Sequence, residues 1–344
     1  MKIFNRTLLL LSLALLLLAA VGVYSQRAMY IFRNGDVSQI IPVNDVDSIK
    51  FAIKSVLDDG SFSIENSRIS VMQDTARGGA ISYISLYGSG RNLVNIADEG
   101  RYVQQSYYAG HSIDRISEGQ SPYWSPWSWN PIQAGDYMRN RAEVLAKSKT
   151  DTSTYIKCIP MLWDMDNKPA EATMEQWTSI NENVISVRCR LTCSRTDDIY
   201  GEGVNCDQEI PAVYLISALN NLYSYFGNNP FNGSAVGSTD IVQLESGFWG
   251  IYDDEQNPFP SEKWMAFVDD NGFGVGVYSP DATKFLAGRS GGPGEEASGW
   301  STNYIAPVCV RGLMKNSVFE YQYWLAVGEL SEIRAAFYQI YNAD

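Results

Sequence analysis

The chain has 344 residues, 45% of them hydrophobic and 19% charged, with 28 Gly and 13 Pro, the balance of a folded globular protein and not of a disordered or collagen-like one. Lys and Arg number 26 against 39 Asp and Glu, a formal net charge of −13, the wrong sign for tracking nucleic-acid phosphates, so nucleic acid is excluded as an expected partner. Aromatics are abundant, 21 Tyr, 13 Phe and 9 Trp, and many stand beside polar residues, which suits wet planar recognition surfaces as well as cores.

Lys2 and Arg6 precede an apolar run from Leu8 to Val23, followed by Tyr24-Ser25 and Gln26. This is the layout of a signal peptide over residues 1–25, cut near Ser25. Read instead as an anchor helix, the run falls short of the roughly 20 apolar residues that a bilayer span takes. No Cys stands at its boundary to carry a lipid. The expected location is therefore secreted or periplasmic, with no membrane contact after cleavage. Removing the two positive charges takes the net charge from −13 to −15.

Residues 26–57 read as a short N-terminal β segment. Within it, Met29 to Ile53 places an Asn34-Gly35-Asp36 turn between two apolar stretches, the pattern of a hairpin. The segment resembles the one that follows the signal peptide in many secreted proteins of the phylum Bacteroidota.

Residues 58–344 carry no linker and no visible repeat, and read as a single domain. Period-two alternation broken by Gly, Asn and Asp predicts strands in SFSIENSRISVMQD, GGAISYISLYG, RYVQQSYY, YIKCIPMLW, NVISVRCRLTCS, KWMAFVDDNGFGVGVYS and FEYQYWLAVG. The expected fold class is all-β, a large antiparallel β-sandwich with a few short helices. The helix candidates are Thr173 to Ile180, Val213 to Tyr225 and Ser331 to Tyr341, the last opening on Ser331-Glu332 as a capping signal. For the five Cys, a Cys193–Cys206 disulfide across an Asp- and Gly-rich loop is the first expectation in an exported protein. With one His and no CxxC, no zinc site is expected.

The block Gly78 to Gly110, GGAISYISLYGSGRNLVNIADEGRYVQQSYYAG, opens a strand on a Gly pair and enters a second strand through Asp98-Glu99-Gly100-Arg101. It resembles the opening of the galactose-mutarotase-like sandwiches, the supersandwich domains of sugar epimerases, several polysaccharide lyases and some glycoside hydrolases. The resemblance implies a carbohydrate-active domain, although the His pair typical of the epimerases has no counterpart in a chain with one His. Alternation along RYVQQSYY puts Arg101, Gln105 and Tyr107 on one face and Tyr102, Gln104, Ser106 and Tyr108 on the other, with sugar-bonding groups on both.

Tyr123 to Asp136, YWSPWSWNPIQAGD, packs Tyr123, Trp124, Trp127 and Trp129 into seven residues broken by Pro126 and closed by Asn130-Pro131, so it is a shaped loop and neither helix nor central strand. Two readings stand. Its indoles stack on pyranose faces while Asn130, Gln133 and Asp136 take hydroxyls, or they plug one end of the core. His111, the one His, is a proton carrier by its pKa or a structural residue. Glu209, between Gln208 and Ile210-Pro211, is a general acid of raised pKa if buried, with Asp98, Asp136 or Glu245 as its partner carboxylate, or else an ion-pair partner of Arg188 or Arg190. The Gly272-x-Gly274-x-Gly276 run lacks the βαβ setting of a dinucleotide site and reads as a hairpin, with Trp264 a candidate platform. Acidic loops at 163–167 and 252–255 are candidate structural Ca²⁺ ligands or solvated turns, and no other cofactor is expected.

The leading expectation is a secreted glycoside hydrolase cleaving a polysaccharide or oligosaccharide, with Glu209, Asp98 and His111 as catalytic candidates. Arg101, Gln105, Tyr107, Trp127, Trp129, Asn130, Gln133 and Asp136 are expected to hold sugar. A polysaccharide lyase using His111, Tyr107 and Arg101 on a uronate glycan and a non-catalytic glycan-binding protein are the alternatives.

Overall fold

The protein is described by a computed structural model covering residues 28–33, 36–43, 61–242 and 249–343. The segment read as a signal peptide, and Glu245, lie outside the described residues. The chain divides into two compact units, Met1–Ala52 and Ile53–Asp344. In the first, β1 (Ala28–Arg33) and β2 (Asp36–Pro42) pair antiparallel as the Asn-Gly turn predicts, Ala28 opposite Pro42.

The second unit begins with β3 (Ser63–Glu65), β4 (Ile69–Asp74), β5 (Ala80–Leu86) and β6 (Val103–Ser106), then β7 (Ala109–Ile113), β8 (Trp127–Trp129) and β9 (Pro131–Ile132). There follow β10 (Glu143–Lys149), β11 (Ser153–Ile159), β12 (Met161–Leu162), β13 (Ala172–Asn181) and β14 (Val184–Cys193). Next come β15 (Cys206–Ile216), β16 (Asn221–Ser224), β17 (Gly237–Thr239) and β18 (Gly250–Tyr252). The chain closes with β19 (Trp264–Val268), β20 (Phe273–Tyr278), β21 (Lys284–Ser290), β22 (Thr302–Arg311), β23 (Val318–Glu329) and one helix, α1 (Leu330–Ala343). A nine-stranded sheet runs β10-β11-β13-β14-β23-β20-β19-β16-β17, and a ten-stranded sheet runs β18-β21-β22-β15-β6-β5-β4-β3 with β9 and β12 attached. Among the described residues the strand pairs of both sheets are antiparallel. The unit is the all-β sandwich that the alternation predicts.

The core lies between the sheets. Ile81, Val103, Val213, Leu215, Phe285 and Ile305 come from the ten-stranded sheet and Met174, Val187, Phe267, Val277, Leu325 and Val327 from the nine-stranded one. Thr173 to Ile180 is strand and not helix, because Ala172, Met174, Gln176, Thr178 and Ile180 all face inward. The inward polar pair satisfies itself, Gln176 donating to the Thr178 hydroxyl at 3.1 Å, and two polar residues on the core face hide the period of two from a hydropathy reading. Val213 to Tyr225 likewise divides between the end of β15 and β16.

All five Cys are free thiols. Cys193 ends β14 in the nine-stranded sheet, whereas Cys206 opens β15 in the ten-stranded one, its thiol against the Gly110 carbonyl at 3.5 Å. The expected Cys193–Cys206 disulfide is therefore absent.

The predicted C-terminal helix forms, one residue earlier than expected. Glu332 reaches back to the Glu329 backbone N–H at 3.1 Å, so Glu329 and not Ser331 stands at the cap. Helix α1 covers the outer face of β19, β20 and β23, with Ile333, Ala336 and Phe337 against Trp264, Tyr278 and Ala326. Gly276 permits this approach, since a Cβ there would stand 2.5 Å from Ile333 Cγ2. The glycine run is thus a packing device, as its hairpin setting implies, and Trp264 is wholly buried under the helix instead of serving as a platform. Among the described residues no helix is long and apolar enough to cross a membrane.

Glu262, fully buried, ties α1 down. Its carboxylate accepts from Trp264 Nε1 at 2.8 Å, Arg334 at 2.8 and 3.1 Å, the Tyr338 hydroxyl at 2.7 Å and the Phe231 N–H at 2.9 Å. Burial alone would raise its pKa, but the bonds from Arg334, Tyr338, Trp264 and Phe231 outweigh burial and hold it below the ordinary value. Glu262→Ala is expected to cost about 3–5 kcal/mol, the usual loss when one partner of a buried ion pair is removed, read from denaturant unfolding at neutral pH. Because the folded-state pKa is depressed, this contribution is present above the ordinary carboxylate range and is lost as pH falls through the folded value, so the gap between wild type and variant narrows in acid.

Candidate functional site

Strand β15 joins two neighbours, and its register selects what lies together on the side of the ten-stranded sheet that faces away from the core. Tyr214 stands opposite Tyr304 and Glu209 opposite Val308 on β22, while Glu209 also stands opposite Ser106 on β6. Directly opposed residues share a face. Ile210, Val213, Leu215 and Ile305 point into the core, so Ala212, Tyr304, Ala306 and Val308 form a separate apolar layer behind it, with Tyr214 and Trp249 packed on. Glu209 sits in this layer, 8% exposed.

The Glu209 carboxyl accepts a hydrogen bond from the Tyr304 phenol. Burial pushes its pKa up, and the Ser106 and Tyr304 hydroxyls pull back only part of that shift. Burial, reinforced by the Glu209 charge, also raises the phenols of Tyr108, Tyr214 and Tyr304. Around neutral pH these three are therefore hydrogen-bond donors.

Asp98 and Arg101 join the same patch from the turn before β6. Asp98 Oδ1 accepts the Gly100 N–H at 2.9 Å, and its Oδ2 lies 3.6 Å from Arg101 Nε. The Arg101 guanidinium lies over the Tyr214 ring at 5.5 Å and the Trp300 ring at 5.6 Å, while Tyr214 and Trp249 both pack on Tyr304, at 4.8 and 4.6 Å. Trp300 is 65% exposed.

The Trp loop closes the circuit. Trp127 meets Tyr108 at 6.4 Å and Trp124 at 5.2 Å, and Trp124 meets Trp163 at 5.6 Å, all edge-on. Trp163 in turn lies against Gly100, where a Cβ would come within 2.7 Å of the indole. Contacts thus run from Gly100 through Trp163, Trp124 and Trp127 to Tyr108, and from Glu209 through Tyr304, Tyr214 and Arg101 to Asp98, the two arms joined where the Glu209 charge acts on the Tyr108 phenol. A partly exposed aromatic rim, one buried carboxyl and one ion-paired carboxylate are the groups that sugar recognition and acid–base chemistry use.

Other predicted residues are placed inside the fold. Gln133 donates to Gly78 O at 3.0 Å and Gln176 at 3.1 Å and accepts from the Gln105 N–H at 3.0 Å. Gln105 donates to Glu175 O and accepts from the Tyr107 phenol at 2.7 Å. Asn130 bridges Tyr107 O and Trp127 Nε1. Asp136 takes the Met138, Asn140 and Asn167 N–H groups. Trp129 is buried with Arg195 over its ring at 5.0 Å. All six side chains are at most 1% exposed, and their polar atoms are spent internally rather than offered to a ligand. The plug reading of the Trp loop therefore holds for Trp129, while Trp124 and Trp127 are partly exposed at the rim.

His111 is exposed on β7, which pairs with β8 and so rides on the hairpin that carries Trp127. None of the described contacts links it to Glu209. Arg188 and Arg190 lie on β14 in the other sheet, which rules out the ion pair considered for Glu209. Among the described residues no group of three or more His, Cys, Asp or Glu converges on a metal position. Asp253 instead accepts the Glu255 and Gln256 N–H groups, a solvated turn.

Tyr304, Tyr214, Tyr108, Trp163, Trp249 and Trp300 were not among the residues singled out from sequence as sugar ligands. The available signal was a continuous apolar run: Tyr304-Ile305-Ala306-Pro307-Val308 is apolar on both faces, the mark of a strand covered on two sides.

No family model matches the chain. No curated protein matches it. Among solved structures it is similar to a galactose mutarotase related enzyme from Lactobacillus acidophilus, at 11% identity and TM-score 0.42 over 78% of this chain and 97% of that one. It is similar to a putative aldose 1-epimerase from Escherichia coli K12, at 10% and 0.44 over 78% and 99%. It is also similar to a 4-alpha-glucanotransferase from Thermococcus litoralis, at 12% and 0.40 over 79% of this chain and 38% of that one. The likeness is one of sandwich architecture.

Because the folded-state pKa of Glu209 is raised, its proton stabilises the fold fully below the ordinary value of 4.5 and that contribution is lost as pH rises through the folded value. Denaturant midpoints of wild type relative to Glu209→Gln are expected to fall across that window from acid toward neutral pH. A rising difference would show the carboxylate to be the form the fold prefers.

Proposed function

We propose that this protein is a carbohydrate-active enzyme that hydrolyses glycosidic bonds at the Glu209 patch. The observation that carries the reading is Glu209 itself, a carboxyl buried beside the Tyr304 and Ser106 hydroxyls with a raised pKa, set within a rim of tryptophans and tyrosines.

A carboxyl whose pKa is raised by burial is suited to general acid catalysis. Glu209 gives its proton to the glycosidic oxygen as the bond to the anomeric carbon breaks. The Tyr304 phenol, already donating to Oε1, steadies the carboxylate left behind. Asp98, held by the Gly100 N–H and Arg101, is the second carboxylate, which attacks the anomeric carbon or takes a proton from the attacking water according to its separation from Glu209. Trp124, Trp127 and Trp300 present ring faces and edges to the sugars, and Arg101 donates to a hydroxyl. The N-terminal segment 1–25 fits export of the enzyme to where polysaccharide is met.

The lyase reading rests on Arg101, a guanidinium able to neutralise a uronate. It loses Tyr107 as a base, because that phenol is enclosed in the core on Gln105.

Glu209→Gln is expected to lower hydrolysis by about 10²- to 10⁴-fold with binding retained, measured as reducing ends released from a panel of plant, algal and microbial glycans. Asp98→Asn is expected to act in the same direction. Full turnover in both variants would remove the assignment, and products absorbing in the ultraviolet as unsaturated uronates would replace hydrolysis with elimination. Trp127→Ala, at a partly exposed position, is expected to raise KM more than it lowers kcat, and an unchanged KM would take Trp127 out of the binding rim.

A further inference from the structure

The outer face of the nine-stranded sheet carries a polar and aromatic cavity of about 380 Å³, within the usual range for small-molecule sites. Its floor is one cross-strand row. Ser148 on β10 stands opposite Tyr155 on β11, Tyr155 opposite Trp177 on β13, Trp177 opposite Arg188 on β14, and Arg188 opposite Gln322 on β23. We propose that this cavity is a binding site for a uronate-bearing oligosaccharide, separate from the Glu209 patch.

Three observations carry it. The first is Arg188. Its guanidinium lies 4.0 Å over the Trp177 ring, its side chain is exposed, and among the described residues it makes no hydrogen bond or ion pair. Stacking on an indole orients the guanidinium plane and leaves its N–H edge open, the arrangement that receives a carboxylate through two parallel bonds.

The second is the charge around it. The cavity lining holds Arg188 and Lys149 and no carboxylate. The neighbouring acidic residues are already engaged: Glu175 with the Tyr155 phenol at 2.7 Å and Arg190 at 3.7 Å, and Glu320 with Arg190. In a chain of net charge −13 this is a local reversal of sign. At contact distance a free guanidinium outweighs a diffuse opposing field that salt screens within about 10 Å.

The third is the remainder of the lining. Tyr155 and Trp177, with ring centroids 5.2 Å apart and planes inclined at 40°, supply an apolar surface for the C–H face of a pyranose. The hydroxyls of Ser153, Ser179 and Ser186 and the Gln322 amide fringe it, and can bond to sugar hydroxyls. An anion, a C–H-rich ring face and several hydroxyls on one small molecule describe an acidic sugar.

The inference does not rest on catalysis at Glu209, and its test is made in the Glu209→Gln full chain so that turnover does not consume the probe. Binding of oligogalacturonate is measured by calorimetry beside the same oligomer with its carboxyls reduced to alcohols. The acidic probe is expected to bind, the reduced one at least tenfold more weakly, and affinity for the acidic probe is expected to fall as salt is raised. Arg188→Ala is expected to weaken the acidic probe at least tenfold and Arg188→Lys to restore part of it. Arg188 is exposed, and near-ultraviolet circular dichroism of each variant verifies its fold. Equal binding of both probes, no binding of the acidic probe, or unchanged affinity in a folded Arg188→Ala protein would overturn the proposal. So would loss of binding on Arg101→Ala in place of Arg188→Ala, which would move the acidic sugar to the first patch.

Discussion

The antiparallel register of β15 between β22 and β6 is the constraint on which the rest depends. It opposes Glu209 to Val308 and Ser106 and Tyr214 to Tyr304, so one strand feeds Val213 and Leu215 to the core and Ala212 and Tyr214 to a second layer behind it. A one-residue slip would exchange these faces, sending the carboxyl into the apolar core and the core aliphatics to the rim. The shift in register between Glu209 and Val213 marks where an irregular segment interrupts the ladder next to that carboxyl, a common position for bulges near functional groups.

Both sheets are covered on two faces for part of their area, but differently. The nine-stranded sheet buries one end under α1, through Trp264, Phe337 and the fully enclosed Glu262, and leaves its other end open as the Tyr155, Trp177 and Arg188 row. The ten-stranded sheet covers its outer face with aromatic side chains, from Tyr304 and Trp249 to the Trp loop. Aromatic residues are well suited to this duty, since each buries a large apolar area while presenting a polar tip or a ring edge to water.

Internal polar bonding explains how a loop as irregular as 123–136 holds its shape. Gln133, Asn130 and Asp136 supply donors and acceptors to backbone groups that no sheet ladder satisfies. An unpaired buried peptide group costs about 1–3 kcal/mol. The loop therefore depends on side-chain amides that a sequence reading assigns naturally to ligand binding, because the same chemistry that takes a sugar hydroxyl also takes a peptide N–H.

The alternation of apolar residues and the turn residues at Asn34-Gly35 and Asp269 to Gly272 determined, without coordinates, an antiparallel β-sandwich, its N-terminal hairpin, the Gly-rich hairpin and the C-terminal helix, since these depend on local backbone preference and period. The acidity and the crowded indoles marked Asp98, Arg101, Glu209 and the Trp loop as one candidate group. Only the tertiary structure decided which members of that group meet. Gln105, Gln133 and Trp129 carry the same residue chemistry as exposed ligands but turn inward, and Tyr304 enters the patch from almost 100 positions downstream of Glu209. Side-chain direction across paired strands is set by register and sheet order, which are long-range properties. For the same reason the Tyr155, Trp177, Arg188 and Gln322 row, dispersed over four strands, is invisible until those strands lie side by side.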